Sequence, residues 1–113
     1  LLPKLSKYQI TQNGPIILAQ LENEYGSYGE DKEYLLAVYQ MMRKYGIEVP
    51  LFTADGTWHE ALNAGSLLEK KVFPTGNFGS QAKENITVLK KFMESYQITA
   101  PLMCMEFWEK QVR

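Results

Sequence analysis

Four short apolar runs, at residues 16–21, 51–54, 72–73 and 102–105, alternate along the chain with longer stretches in which apolar and polar positions recur at helical spacing. The short runs read as strands buried on both faces. Prolines Pro15, Pro50 and Pro101 precede three of them. Each proline ring pushes the residue before it out of the helical region, which gives the strand a clean start. Between the first two runs, Tyr34, Leu35, Val38, Met41, Met42 and Tyr45 form an apolar stripe flanked by Glu33, Gln40, Arg43 and Lys44, and Gly46 stops it. That is an amphipathic helix. Ile86, Leu89, Phe92, Met93 and Tyr96 predict a second one over 81–96. A shorter helix is predicted over 58–64, opened by Thr57 and Glu60 in capping-box spacing and ending before Gly65. Residues 1–14 lack a strand pattern, and 8–14 read as a helix end followed by a polar loop.

The resulting order is β-α-β-α-β-α-β with parallel strands, an α/β chain. Strand starts at 16, 51, 72 and 102 are spaced by 35, 21 and 30 residues. The spacing suits half of an eight-unit barrel, in which about 250 residues make roughly 31 per unit. A doubly wound sheet is the alternative, but no glycine-rich phosphate loop follows the first strand.

The chain has 113 residues, one domain's worth, and 45% hydrophobic against 22% charged residues places it among globular proteins. A net charge of −1 without basic clusters argues against nucleic acid as a partner. No apolar stretch is long enough to span a bilayer, so no membrane partner is expected, and with no leader pattern a cytoplasmic location is the expectation. The single Cys104 makes no internal disulfide, and one His with one Cys makes no structural zinc site. Neither a metal nor a cofactor is expected.

In a barrel of parallel strands, function gathers where strands end. The residues there are Glu22, Asn23 and Glu24, then Asp55, Asn77 and Glu106, so each strand carries a carboxylate or an amide to the rim. Two carboxylates across a pocket suit glycosidic hydrolysis, one as acid and then base, the other as nucleophile. Tyr25, Tyr28, Trp58, Phe78, Phe107 and Trp108 lie on or just past the strand ends and can offer flat faces to a sugar ring. The competing reading makes the carboxylates solvated rim residues and the aromatics packing. His59 reads as a helix-start residue, Cys104 as strand packing, and Asn85-Ile86-Thr87 as a chance match to a glycosylation acceptor inside a helix.

The run Gly14-Pro15-Ile16-Ile17-Leu18-Ala19-Gln20-Leu21-Glu22-Asn23-Glu24-Tyr25-Gly26-Ser27-Tyr28 resembles the fourth-strand signature of family 35 glycoside hydrolases, β-galactosidases with a (β/α)8 catalytic domain. Leu51-Phe52-Thr53-Ala54-Asp55-Gly56, Asn77-Phe78-Gly79-Ser80 and Pro101-Leu102-Met103-Cys104-Met105-Glu106-Phe107-Trp108 follow in that family's order and spacing. The resemblance implies that Glu24 is the proton donor and Glu106 the nucleophile of a retaining reaction on terminal β-galactosyl residues. It further implies that Asn23 hydrogen-bonds the sugar hydroxyl next to the anomeric carbon, that Glu22 helps line or order the galactose pocket, and that Trp108 binds the sugar. After Trp108 the family continues with an acidic residue, Gly and Trp, whereas this chain reads Glu109-Lys110-Gln111-Val112-Arg113.

On this reading residues 1–113 are a fragment covering approximately strands four to seven, a partial barrel expected to be inactive in isolation. Exposed edge strands and an uncovered apolar face lead to an expectation of self-association. The alternative function is that of a non-catalytic remnant acting only as a self-associating structural domain.

Overall fold

The computed structural model describes residues 1–108. In chain order the regular elements are α1 (Leu2–Ser6), β1 (Ala19–Gln20), α2 (Lys32–Lys44), β2 (Leu51–Gly56), α3 (His59–Gly65), β3 (Phe73–Asn77), α4 (Ala82–Ser95) and β4 (Cys104–Glu106). The strands are all parallel and lie side by side in the order β1-β2-β3-β4. Helical connections return the chain from the end of each strand to the start of the next. The sheet and its helices form a curled half of a (β/α)8 barrel, as the strand spacing predicts.

Two apolar clusters sit between sheet and helices. Leu35 and Met42 of α2 pack with Leu21, Leu51, Val49 and Val72, while Leu89, Phe92 and Met93 of α4 pack with Leu62 of α3. Fully burying each such leucine contributes about 1.5–3 kcal/mol. The stripe on α2 is narrower than its sequence suggests, since Tyr34, Met41 and Tyr45 stay exposed. Asp31 caps α2 by accepting a hydrogen bond from the Tyr34 amide at 3.1 Å. The segment before β1 is held by Gln9, whose buried amide donates to the Ser6 and Gly46 carbonyls and accepts from the amides of Glu48 and Val49.

The strands differ in extent from the apolar runs, each for a physical reason. Residues 16–18 are not in β1: Ile16 bonds instead to Tyr8 and Ile10 in an isolated parallel bridge with Gln9, and pairing with β2 begins where Ala19 meets Leu51. Conversely, β3 runs through Pro74 to Asn77. The Gly76 amide donates to Met103, so Pro74, two residues earlier, faces the same neighbour below the level where β4 begins to pair. Its missing N–H therefore breaks no ladder bond. The expected capping box of Thr57 and Glu60 is absent: Trp58 is the N-cap of α3, without a side-chain cap bond, and the Thr57 hydroxyl donates instead to Asn85 Oδ1.

Candidate active site

The loop after β1 decides where three consecutive polar side chains go. Leu21 continues the ladder, donating to the Phe52 carbonyl, but Glu22 and Glu24 then take left-handed backbone conformations with φ of 61° and 51°. For residues with a Cβ this costs about 1–2 kcal/mol each, so the surrounding contacts must hold them there. They do. The Glu24 amide donates to the Ala54 carbonyl at 2.8 Å, and the Gly26 amide donates to Asp55 Oδ1 at 2.8 Å. The reversals separate the three side chains. Glu22 turns to the helix layer and accepts from the Tyr34 hydroxyl at 2.7 Å, which holds that phenol above its usual pKa. Asn23 is exposed and accepts at Oδ1 from Gln20 Nε2 at 3.1 Å.

Glu24 faces a cleft of about 680 Å³ at the carboxyl ends of the strands. Its Oε1 accepts from Asn77 Nδ2 at 3.1 Å, and Asn77, at the end of β3, is only 2% exposed. The other end of the same carboxamide, Oδ1, accepts from the backbone amide of Glu106 at 3.2 Å. Because a carboxylate only accepts and a backbone N–H only donates, this amide fits between them in one orientation. A shift in the β3–β4 register makes the meeting possible: Gly76 aligns with Cys104 but Asn77 with Glu106, so Met105 is passed over. Such a bulge re-aims the residues beside it. The Glu106 carboxylate is exposed and accepts at Oε2 from Trp108 Nε1 at 3.4 Å.

Asp55 belongs to the strand-end set by sequence but not by geometry. On β2, Leu51, Thr53 and Asp55 share one face by the two-residue period, and Leu51 packs in the α2 cluster. Asp55 therefore points at the helices, 2% exposed, and does not line the cleft. A Cβ on Gly65 would stand 2.3 Å from its Oδ1, so only glycine lets α3 approach this closely. Burial pushes the Asp55 carboxyl up to about 6; the Gly26 hydrogen bond and the Lys32 charge oppose the rise and the Glu24 charge adds to it. Lys32 is itself lowered by burial, with Asp55 countering, and its ammonium donates to the carbonyls of Asn63, Ala64 and Ser66 at the end of α3.

The remaining candidates fall into place as packing. His59 opens α3 and meets Phe92 edge to face at 5.8 Å. Cys104 is half-buried in β4 with its thiol 3.3 Å from the Glu106 carbonyl. Asn85 spends its carboxamide on Thr57 and on the Ser80 carbonyl, in the cleft wall. Among the described residues, no three His, Cys, Asp or Glu side chains gather closely enough to hold a metal ion.

The structure thus brings Glu24, Asn77, Glu106 and Trp108 together, and leaves Glu22 and Asn23 off the cleft lining. Sequence reasoning put Asn77 on the rim without a role. Its signal was the polar residue closing a strand, and its bridging contacts depend on the bulge, which no residue pattern announces.

The family model described as "Glycosyl hydrolases family 35" matches residues 1–113. A protein named "Beta-galactosidase" from Felis catus is 37% identical over 110 residues, covering 96% of this chain and 16% of that protein. "Beta-galactosidase 1" from Dictyostelium discoideum is 40% identical over 103 residues, covering 85% and 15%, and "Beta-galactosidase 8" from Oryza sativa subsp. japonica is 40% identical over 79 residues, covering 69% and 12%. The chain thus spans 12–16% of the length of these relatives. With the match running across every strand of the half-barrel and through both carboxylate-bearing strand ends, the chain belongs to glycosyl hydrolase family 35.

Proposed function

We propose that residues 1–113 supply approximately strands four to seven of an eight-stranded catalytic barrel, and that the complete polypeptide carrying them hydrolyses terminal β-galactosyl residues with retention of configuration. The observation that carries this reading is the Asn77 carboxamide, which donates to the Glu24 carboxylate and accepts from the Glu106 amide. One buried side chain thereby sets the positions of two carboxyl-bearing strand ends. The names of the relatives support β-galactosides as the substrate class.

In this mechanism Glu106 attacks the anomeric carbon while Glu24, protonated, gives its proton to the departing glycosidic oxygen. A galactosyl ester on Glu106 results. Glu24, now a carboxylate, takes a proton from the water that opens the ester, and two inversions give net retention. A retaining pair stands ~5–5.5 Å apart, too close for an intervening attacking water. Glu22 acts from behind, through Tyr34, by fixing the loop that carries Glu24. Asn23 is assigned to the hydroxyl beside the anomeric carbon and Trp108 to the sugar face, with the Trp108 indole N–H also steadying Glu106.

Isolated, the 113 residues are proposed to be inactive and to self-associate. Ile17 before β1, Met105 in β4 and Leu102 and Phe107 on either side of β4 are exposed apolar side chains at the two outer strands of the sheet.

The function is tested by proton NMR of the first-formed sugar when the complete polypeptide cleaves a nitrophenyl β-galactoside. β-Galactose appearing first supports the proposal. α-Galactose appearing first, or no cleavage, overturns it.

A further inference from the structure

The loop that carries Glu24 is folded down over a buried acid that the proposed reaction does not use. Its 3₁₀ turn, Tyr25–Ser27, lies against both β2 and α3. Beneath the turn Asp55 is buried, and its Oδ1 accepts from the Gly26 amide, two residues past Glu24. A Cβ on Gly26 would stand 2.9 Å from that oxygen and collide with the Ala61 carbonyl, and one on Gly65 would collide with both carboxyl oxygens. Backbone is therefore packed onto the carboxyl from two sides, and the loop is part of the cover that keeps water away. The loop is also strained, since Glu22 and Glu24 hold left-handed conformations that only tertiary contacts maintain.

Few charges answer Asp55. Lys32 at the start of α2 and Glu24 in the loop act on it, while α3 presents Gly65 and β3 presents Gly76, its register partner. His59 and Glu60, the titratable residues of α3, are exposed at its first turn. The Lys32 ammonium donates to the carbonyls of Asn63, Ala64 and Ser66, and among the described residues Asp55 has no ion-pair partner. Ionised, Asp55 is a buried charge without a contacting counter-ion, and burial pushes its carboxyl up to about 6. Neutral, it still offers an oxygen to the Gly26 amide and carries no such penalty. Lifting the loop would hydrate the carboxylate and relax both left-handed residues together.

We propose that Asp55 is a proton-operated latch on residues 22–28: the neutral carboxyl holds the loop down with Glu24 over the cleft, and the carboxylate favours a lifted loop in which Glu24 leaves Asn77. Asp55 is thus a positioning residue that acts on Glu24 through the Gly26 amide. The catalytic consequence rests on Glu24 being the proton donor; the movement does not. Because the closed loop binds the Asp55 proton more tightly than the lifted one, its advantage is full below about pH 4 and is lost as pH rises through about 6.

The test is hydrogen–deuterium exchange of the complete polypeptide at pH 5 and pH 7.5, read by mass spectrometry on peptides spanning residues 22–28, each rate divided by that of the unstructured peptide at the same pH. Protection of the parent loop should fall about tenfold between the two, as the lifted carboxyl returns to its ordinary pKa. Residues 51–56 should exchange more slowly than the loop throughout, which makes the lifting local. Asp55→Asn keeps an acceptor for Gly26 without a charge, so protection of its loop should stay constant to within about twofold. Asp55→Ala has no acceptor, and its loop should exchange fast at both pH values. Protection that falls equally in the parent and in Asp55→Asn, a parent loop insensitive to pH, or a loop that exchanges no faster than residues 51–56 overturns the latch. These readings do not depend on turnover, so a polypeptide that shows the latch and releases no galactose defeats the proposed function alone.

Discussion

Two acidic side chains close neighbouring strands at the same end of the sheet, and the backbone sends them to opposite faces. Glu24 faces the cleft, half-exposed, and accepts one hydrogen bond from a side-chain amide. Asp55 faces the helices, fully buried, and accepts one from a backbone amide. The two are linked through a single loop, since the amides of Glu24 and Gly26 are both held by β2, at Ala54 and Asp55. On the proposed function, one of these strand-end acids is the working group and the other is the anchor that holds the working group's backbone. The face of the strand decides which.

The largest effects should come from the cleft face. Replacing Glu106 with Gln in the complete polypeptide should lower turnover by about 10⁴-fold or more on every galactoside, as the proposed nucleophile is gone. Replacing Glu24 with Gln should cost about 10²–10⁴-fold on substrates with poor leaving groups and far less on dinitrophenyl galactosides. Added azide should rescue the Glu24 variant alone, giving a galactosyl azide of retained configuration. Equal losses on good and poor leaving groups would remove the donor role from Glu24.

The helix face should show itself in stability and its pH dependence. Folded Asp55 binds its proton more tightly than an ordinary carboxyl, titrating near 6 rather than 3.8. Relative to the unfolded chain, its contribution is favourable below about pH 4 and is lost as pH rises to about 6. Asp55→Asn keeps an acceptor for the Gly26 amide and removes the buried charge. Urea unfolding should therefore show this variant gaining up to about 3 kcal/mol over the parent at pH 7.5, at 1.4 kcal/mol per pKa unit, and almost nothing at pH 4. A gain independent of pH would mean that burial of charge is not what distinguishes this site.

Asn77→Ala probes the bridge between the two carboxyl-bearing ends. Losing a hydrogen bond to a charged group costs about 1.5–3 kcal/mol, so urea unfolding should show a loss of that size, and kcat/KM should fall by about 10–100-fold as Glu24 and the Glu106 backbone lose their common partner. A smaller effect is expected at Thr53, beside Asp55 on the same face. Its buried hydroxyl has no hydrogen-bond partner among the described residues. Thr53→Val keeps the shape and should stabilise the fold by about 1 kcal/mol in the same unfolding assay.

Much of the architecture is legible in the sequence. The parallel order, the two long helices and the gathering of Glu24 and Glu106 at one rim follow from the apolar runs and their polar ends. The face of Asp55 was masked because β2 is buried throughout, so the residues on its two sides are equally apolar and alternation gives no contrast. Pro74 hid the length of β3, since its harmlessness depends on where a strand far along the chain begins to pair. The left-handed turns at Glu22 and Glu24 had no signal either, for neither position is glycine and the strain is held by tertiary hydrogen bonds.

The central claim is that the carboxylate closing β4, and not one of its acidic neighbours, forms the covalent intermediate. A 2-deoxy-2-fluoro-galactoside with an activated leaving group slows the second step and lets that ester accumulate on the complete polypeptide. Mass spectrometry of its peptides should then find the fluorosugar on Glu106 and nowhere else. A label on Glu24 or on any other carboxylate, or retention-free turnover with no label at all, would contradict the account.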